Sequence, residues 1–137
     1  MRWLAAVLIL LVLPAQASDM PGPYRADVLR VIDGDTLRVR AHIWLGHSVE
    51  VSVRVRGIDA PEIRGKCASE RSLAAQAKSA AASLVGKRVL LRDVGPDKYA
   101  GRVVATVETA TGDLAEALKS MRLARPYDGG KRTGWCG

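Results

Sequence analysis

The sequence predicts a small α+β domain built on five short strands, and three observations lead there. The chain has 137 residues, enough for one modest hydrophobic core and too few for two. Segments such as Val51-Ser52-Val53-Arg54-Val55-Arg56 alternate apolar with polar side chains, the two-residue period of a half-buried strand. Residues 69–85 then change to Ala, Leu, Gln and Lys with few breakers, the composition of a helix.

The domain does not begin at residue 1. Met1-Arg2 is a positive start, residues 3–13 form an unbroken apolar run, and Ala15-Gln16-Ala17 matches the small-residue pattern of a cleavage site. Residues 1–17 therefore read as a signal peptide. The run is shorter than the roughly 20 residues of a spanning helix, and no Cys follows it to carry a lipid, so membrane attachment after cleavage is not expected. Residues 18–23 form a short leader, residues 24–127 the domain, and residues 128–137 a C-terminal tail. Without residues 1–17 the chain keeps 20 Lys and Arg against 14 Asp and Glu, a formal charge of +6. A basic domain of this size suits a polyanion such as nucleic acid or an anionic surface.

Residues 27–32, the turn at Asp33-Gly34 and residues 36–40 read as a β-hairpin, and residues 51–56 as a third strand with Val51, Val53 and Val55 on one side. Ser52, Arg54 and Arg56 face the other way, where chemistry is possible. Ser69 is placed to cap the following helix and Gly86 to end it. Residues 89–94 and 103–109 supply the fourth and fifth strands, residues 113–121 a second helix, and the tail from Pro126 has no periodicity. Five strands with a helix between the third and fourth resemble an OB-fold barrel with two to three helices.

Export places Cys67 and Cys136 where disulfides persist, so they are expected to pair. The bond would tie the tail to the loop after Pro61-Glu62, worth about 4 kcal/mol on the chain-entropy model before native strain. With His42 and His47, the cysteines show none of the zinc spacings.

The acids cluster at two corners. Asp33 and Asp35 flank Gly34, and Asp59 and Glu62 flank Ala60-Pro61. If the adjoining strands pair, these carboxylates meet at one end of the sheet as a hard-oxygen site for Ca²⁺ or Mg²⁺. Arg54 and Arg102 then supply guanidinium groups for charge that grows on a phosphoryl group. Glu62, set on a turn by Pro61, is the candidate general base. Each corner also has a plainer reading, because Asp-Gly is a common turn dipeptide and Asp59-Ala60-Pro61-Glu62 is an ordinary strand-ending loop.

Three segments together resemble the signature of staphylococcal-nuclease-like (thermonuclease) domains: Val31-Ile32-Asp33-Gly34-Asp35-Thr36, Arg54-Val55-Arg56-Gly57-Ile58-Asp59-Ala60-Pro61-Glu62, and Asp97-Lys98-Tyr99-Ala100-Gly101-Arg102. The resemblance implies an OB-fold, one bound Ca²⁺, and hydrolysis of DNA, with RNA as a second candidate substrate, leaving 3′-phosphates. It implies Asp35, Asp59 and the Ala60 carbonyl as metal ligands, Arg54, Glu62 and Arg102 as catalytic groups, and Asp33 behind the metal. Lys98 and Tyr99 fall at substrate-contacting positions. Ala100 is an extra residue relative to the family pattern, and Gly101 beside it can absorb unusual dihedrals. The tail, including Gly129-Gly130-Lys131-Arg132, has no counterpart in the motifs and reads first as solvated and basic, with nucleic-acid contact as the second reading.

Two other readings compete. A barrel can bind polynucleotides by stacking and charge without cleaving them, and a basic face can serve an interaction domain in the envelope. No stable protein partner is evident, and a monomer is the default.

Overall fold

A computed structural model describes residues 19–137 of the chain; the expected signal peptide lies outside them. Three long strands follow one another as a meander: β1 (Tyr24–Asp33), β2 (Thr36–Trp44) and β3 (His47–Val55). After the two-residue β4 (Ile58–Asp59) come helix α1 (Ala68–Val85), β5 (Arg88–Pro96) and β6 (Arg102–Thr109). The chain closes with β7 (Gly112–Asp113), helix α2 (Leu114–Ser120) and β8 (Arg125–Pro126). The order β3-β2-β1-β5-β6 is antiparallel throughout. Parallel pairing of β3 with β6, Ser52 opposite Arg102 and Arg54 opposite Val104, then joins the two ends. The result is a closed, mixed five-stranded barrel of the OB-fold-like kind, with two helices among the described residues.

Alternation fills it. Leu37, Val39 and Ala41 of β2, Val53 and Val55 of β3, Val89 and Leu91 of β5, and Ala105 and Val107 of β6 all point inward and are buried. Arg54 takes the opposite face of β3, as the two-residue period requires. β1 breaks step, with register shifts between Val28 and Arg30 and between Val31 and Asp33. Such irregularities re-aim a strand end, and here that end carries Asp33 and Asp35. The leader is not free chain: Met20 exchanges two 2.8 Å backbone hydrogen bonds with Val94, and Asp19 pairs with Arg56 at 2.9 Å.

Helix α1 buries Glu70, Ala74, Ala77, Ala81 and Val85, a stripe at helical spacing. Its start differs from the expected Ser69 cap. Cys67 is the N-cap residue and makes no side-chain cap bond; its sulfur is bonded to Cys136 and lies 3.2 Å from the Ser69 hydroxyl. The first turn is secured instead by Glu70, whose carboxylate accepts the Lys66 N–H at 3.2 Å. Gly86 ends the helix as expected, its N–H bonded to the Ala82 carbonyl. Asp113 is the cap of α2 rather than its first residue and accepts the Glu116 N–H at 3.0 Å.

The small stripe lets the helix lie against the acidic turn. A Cβ on Gly34 would come within 2.8 Å of the Ala77 Cβ and 3.2 Å of the Ala60 Cβ. Gly34 is thus required by close approach, and it locks the turn between the helix and the Ala60 loop. Gly34→Ala is expected to destabilise the fold by about 1–3 kcal/mol, the usual cost of overpacking, with partial recovery in Gly34→Ala/Ala77→Gly; urea unfolding of both variants checks this.

Candidate active site

The pairing of Thr36 with Arg54 brings the corner after β1 beside the outer face of β3. Asp35 is nearly buried: one carboxylate oxygen accepts the Thr36 hydroxyl at 3.0 Å, and the other accepts the Ala60 N–H at 2.8 Å. That second oxygen also lies 3.1 Å from the Arg54 guanidinium, whose other terminal nitrogen is 3.9 Å from Asp59. Asp59 is only 2% exposed. Arg54 therefore sits between two buried carboxylates, and the Tyr127 ring, 5.8 Å from the guanidinium carbon, covers it.

Glu62 stands at the rim, more than half exposed, on a loop pinned from several sides. The Gly65 N–H bonds the Glu62 carbonyl at 2.9 Å, and Arg71 donates to the Gly65 carbonyl at 3.0 Å. Asp33 accepts a long hydrogen bond from the Ile63 N–H. Burial, then the neighbouring Asp35 charge, raises its pKa above the ordinary carboxylate value.

Across the cleft, Gly101 adopts φ +75° and turns the chain into β6. Arg102 opens β6 two residues along from Arg54's partner Val104. Its guanidinium does not stand free. It bonds Asp97 at 2.6 Å and lies 4.7 Å from the centre of the exposed Tyr99 ring. Burial pushes the Asp97 pKa up, but hydrogen bonds from Arg102 and the Tyr99 amide, with the Arg102 charge, bring it below the ordinary value.

Asp33, Asp35, Arg54, Glu62, Lys98, Tyr99 and Arg102 all line one cleft of about 640 Å³, with Asp59 buried beside it. Ala60 donates its N–H to Asp35. Trp44, the most exposed aromatic side chain among the described residues, lies at the far end of β2, eight residues from Thr36. That is roughly 26 Å of strand from the cleft.

The tail corrects the sequence reading. Most of its residues are exposed, as expected, but it is also docked: Cys136 is bonded to Cys67, and Arg132 and Trp135 reach over the acids. Arg132 reaches Asp59 at 2.5 Å and Glu62 at 2.9 Å. Arg125, opposite Asp59 in the β4–β8 pair, approaches the other Asp59 oxygen at 3.4 Å. The Trp135 indole N–H donates to that same oxygen at 3.1 Å, with the Arg125 guanidinium stacked 4.0 Å from its ring. Burial alone would lower the Arg132 pKa; Asp59 and Glu62 outweigh it and raise it. Tyr127, Arg125, Arg132 and Trp135 were not identified from the sequence. The one available signal was Cys136, whose bond to Cys67 forces the tail past Glu62.

Among the described residues no group of three or more His, Cys, Asp or Glu is placed to hold a metal ion. Asp35 and Asp59 nevertheless supply two buried hard-oxygen donors joined through one guanidinium, a donor set that suits calcium or magnesium. Both oxygens of Asp59 are engaged by the chain's own donors. No family model matches the chain, and no curated protein matches it.

Two outcomes follow from these ion pairs. Arg54→Ala leaves two buried carboxylates without their shared partner and should cost about 3 kcal/mol or more of stability in urea unfolding. The Asp97–Arg102 pair stabilises fully above the ordinary Asp pKa near 3.8 and loses its contribution as pH falls through the lowered folded value. Asp97→Asn should therefore shrink the acid-side loss of stability below about pH 4.

Proposed function

We propose that the chain is an exported, calcium-dependent nuclease of the staphylococcal-nuclease-like kind, hydrolysing DNA and, as a second substrate, RNA. The observation that carries this reading is the Arg54 guanidinium held between buried Asp35 and Asp59, 3.1 and 3.9 Å away, in a cleft that Glu62 and Arg102 also line. Buried carboxylates with fixed guanidinium groups are what phosphodiester hydrolysis needs, because the attack builds negative charge on phosphoryl oxygens. The Cys67–Cys136 bond fits an oxidising compartment.

In this reading Asp35, Asp59 and the Ala60 carbonyl would hold a calcium ion, which would supply Lewis-acid polarisation of a phosphoryl oxygen. Arg54, fixed by its two acids and covered by Tyr127, presents a guanidinium edge to the phosphate. Arg102 reaches the same group from β6 once Asp97 shares it, and Lys98 and Tyr99 meet flanking phosphate or base. Glu62 takes the proton of the attacking water. The water oxygen bonds phosphorus as the P–O5′ bond breaks; the O5′ oxygen leaves with that electron pair and takes a proton from solvent to become a hydroxyl, leaving the phosphate on the 3′ side.

A second reading is favoured by the engagement of Asp59 with the tail: a nucleic-acid-binding barrel without catalysis. The remoteness of Trp44 weighs against it, since stacking platforms are the usual means of such binding. Hydrolysis of denatured DNA in millimolar calcium separates the two. The nuclease reading expects cleavage abolished by chelator and reduced at least ~10²-fold in Glu62→Gln, the usual worth of a general base. Tight single-strand binding with no cleavage would replace it by the second reading.

A further inference from the structure

Asp59 is 2% exposed, and a carboxylate stripped of water is costly unless a cation accompanies it. Arg54 stands 3.9 Å away, beyond hydrogen-bond reach, while its other nitrogen serves Asp35 at 3.1 Å. The nearest cation is Arg132, at 2.5 Å from one Asp59 oxygen, with Arg125 at 3.4 Å from the other. Its other terminal nitrogen holds Glu62 at 2.9 Å. One guanidinium thus engages the proposed metal ligand and the proposed general base together.

The tail is built to deliver that group. Tyr127 anchors its start, its N–H bonded to the Gly57 carbonyl at 2.9 Å and its hydroxyl to the Gly130 carbonyl at 2.7 Å. The Cys67–Cys136 bond anchors its end. Between the anchors Arg125 donates to the Thr133 and Gly134 carbonyls. The Arg132 side chain, 42% exposed, is what can turn away without undoing either anchor.

We propose that Arg132 is a positioning residue of this site that stands in for the divalent cation: guanidinium and metal ion take Asp59 in turn. The inference rests on the nuclease reading, since it concerns the metal site of that reading. An ion on the Asp59 oxygen that Arg132 holds would set two cations on one carboxylate oxygen, where they repel each other. Ion entry therefore requires Arg132 to leave Asp59, and because the same fork holds Glu62, departure frees the general base in the same movement. Before the ion arrives, Arg132 keeps the acids compensated and Glu62 occupied.

The test is calcium binding, measured by calorimetry on the metal-free mature protein. Arg132→Ala should bind calcium about tenfold more tightly than the unaltered protein, the scale of losing a charged hydrogen bond. Arg132→Lys, which keeps the charge but not the fork, should fall between. Lys131→Ala removes the same formal charge from an exposed neighbour and should change affinity less than about twofold, since an exposed charge is screened. Opening the tether in Cys67→Ser/Cys136→Ser should shift affinity in the same direction as Arg132→Ala. The Trp135 indole, bonded to Asp59, gives an independent readout: in a Trp44→Phe background its emission should change as calcium draws Asp59 away. Equal affinities for the unaltered protein and Arg132→Ala, both folded by circular dichroism, would overturn the cation exchange and leave the nuclease reading intact. Absence of calcium binding in every variant would overturn both.

Discussion

Two carboxylates that the fold takes out of water govern much of this molecule. Asp35 and Asp59 are 5% and 2% exposed, and neither is tenable there alone. The barrel answers the first with Arg54, the Thr36 hydroxyl and the Ala60 amide, all within reach because β2 pairs with β3 and the chain turns sharply at Gly57. It answers the second from much farther along the chain. Arg125, Arg132 and Trp135 are 66, 73 and 76 residues from Asp59 in sequence, so the tail is part of what makes the buried acid affordable to the fold.

The scaffold beneath is organised around this requirement. Alternation on β3 sends valines into the barrel and Arg54 outward, which makes the core and the cleft two sides of one strand. Parallel closure with β6 sets Arg102 on the same face. The alanine stripe of α1 clamps the acidic turn through Gly34. Glu70 and Arg71, from the first turn of that helix, tie down the loop that carries Glu62. Each element that packs the core also fixes one functional side chain.

Legibility in the sequence divides along physical lines. The strands and the long helix follow from periodicities, because alternation and turn chemistry are local; the convergence of Asp35, Arg54 and Glu62 on one cleft depends on which strands pair and was expected through the resemblance of three segments to a known signature. The close-packing role of Gly34 is not local; Asp-Gly reads as a turn whatever packs against it. Ser69 looked like a cap because its type favours that role, yet the helix begins at Ala68 and Cys67 takes the position. The tail has no period to read, and its side chains find Asp59 only through tertiary folding. A basic, glycine-containing segment of ten residues looks solvated until the bond to Cys67 places it over a buried acid.

The tether also changes what chain cleavage means for this protein. Lys131-Arg132 follows two glycines on the exposed stretch between Tyr127 and the disulfide, the kind of sequence that proteases specific for basic residues attack. A cut after Lys131 opens the backbone but releases nothing, because the fragment carrying Arg132 and Trp135 stays bound through sulfur and keeps its partners on Asp59. A nicked molecule of this kind runs as one species without reductant and as two with it, and the integrity of its site is decided by the thiol environment rather than by the continuity of its backbone.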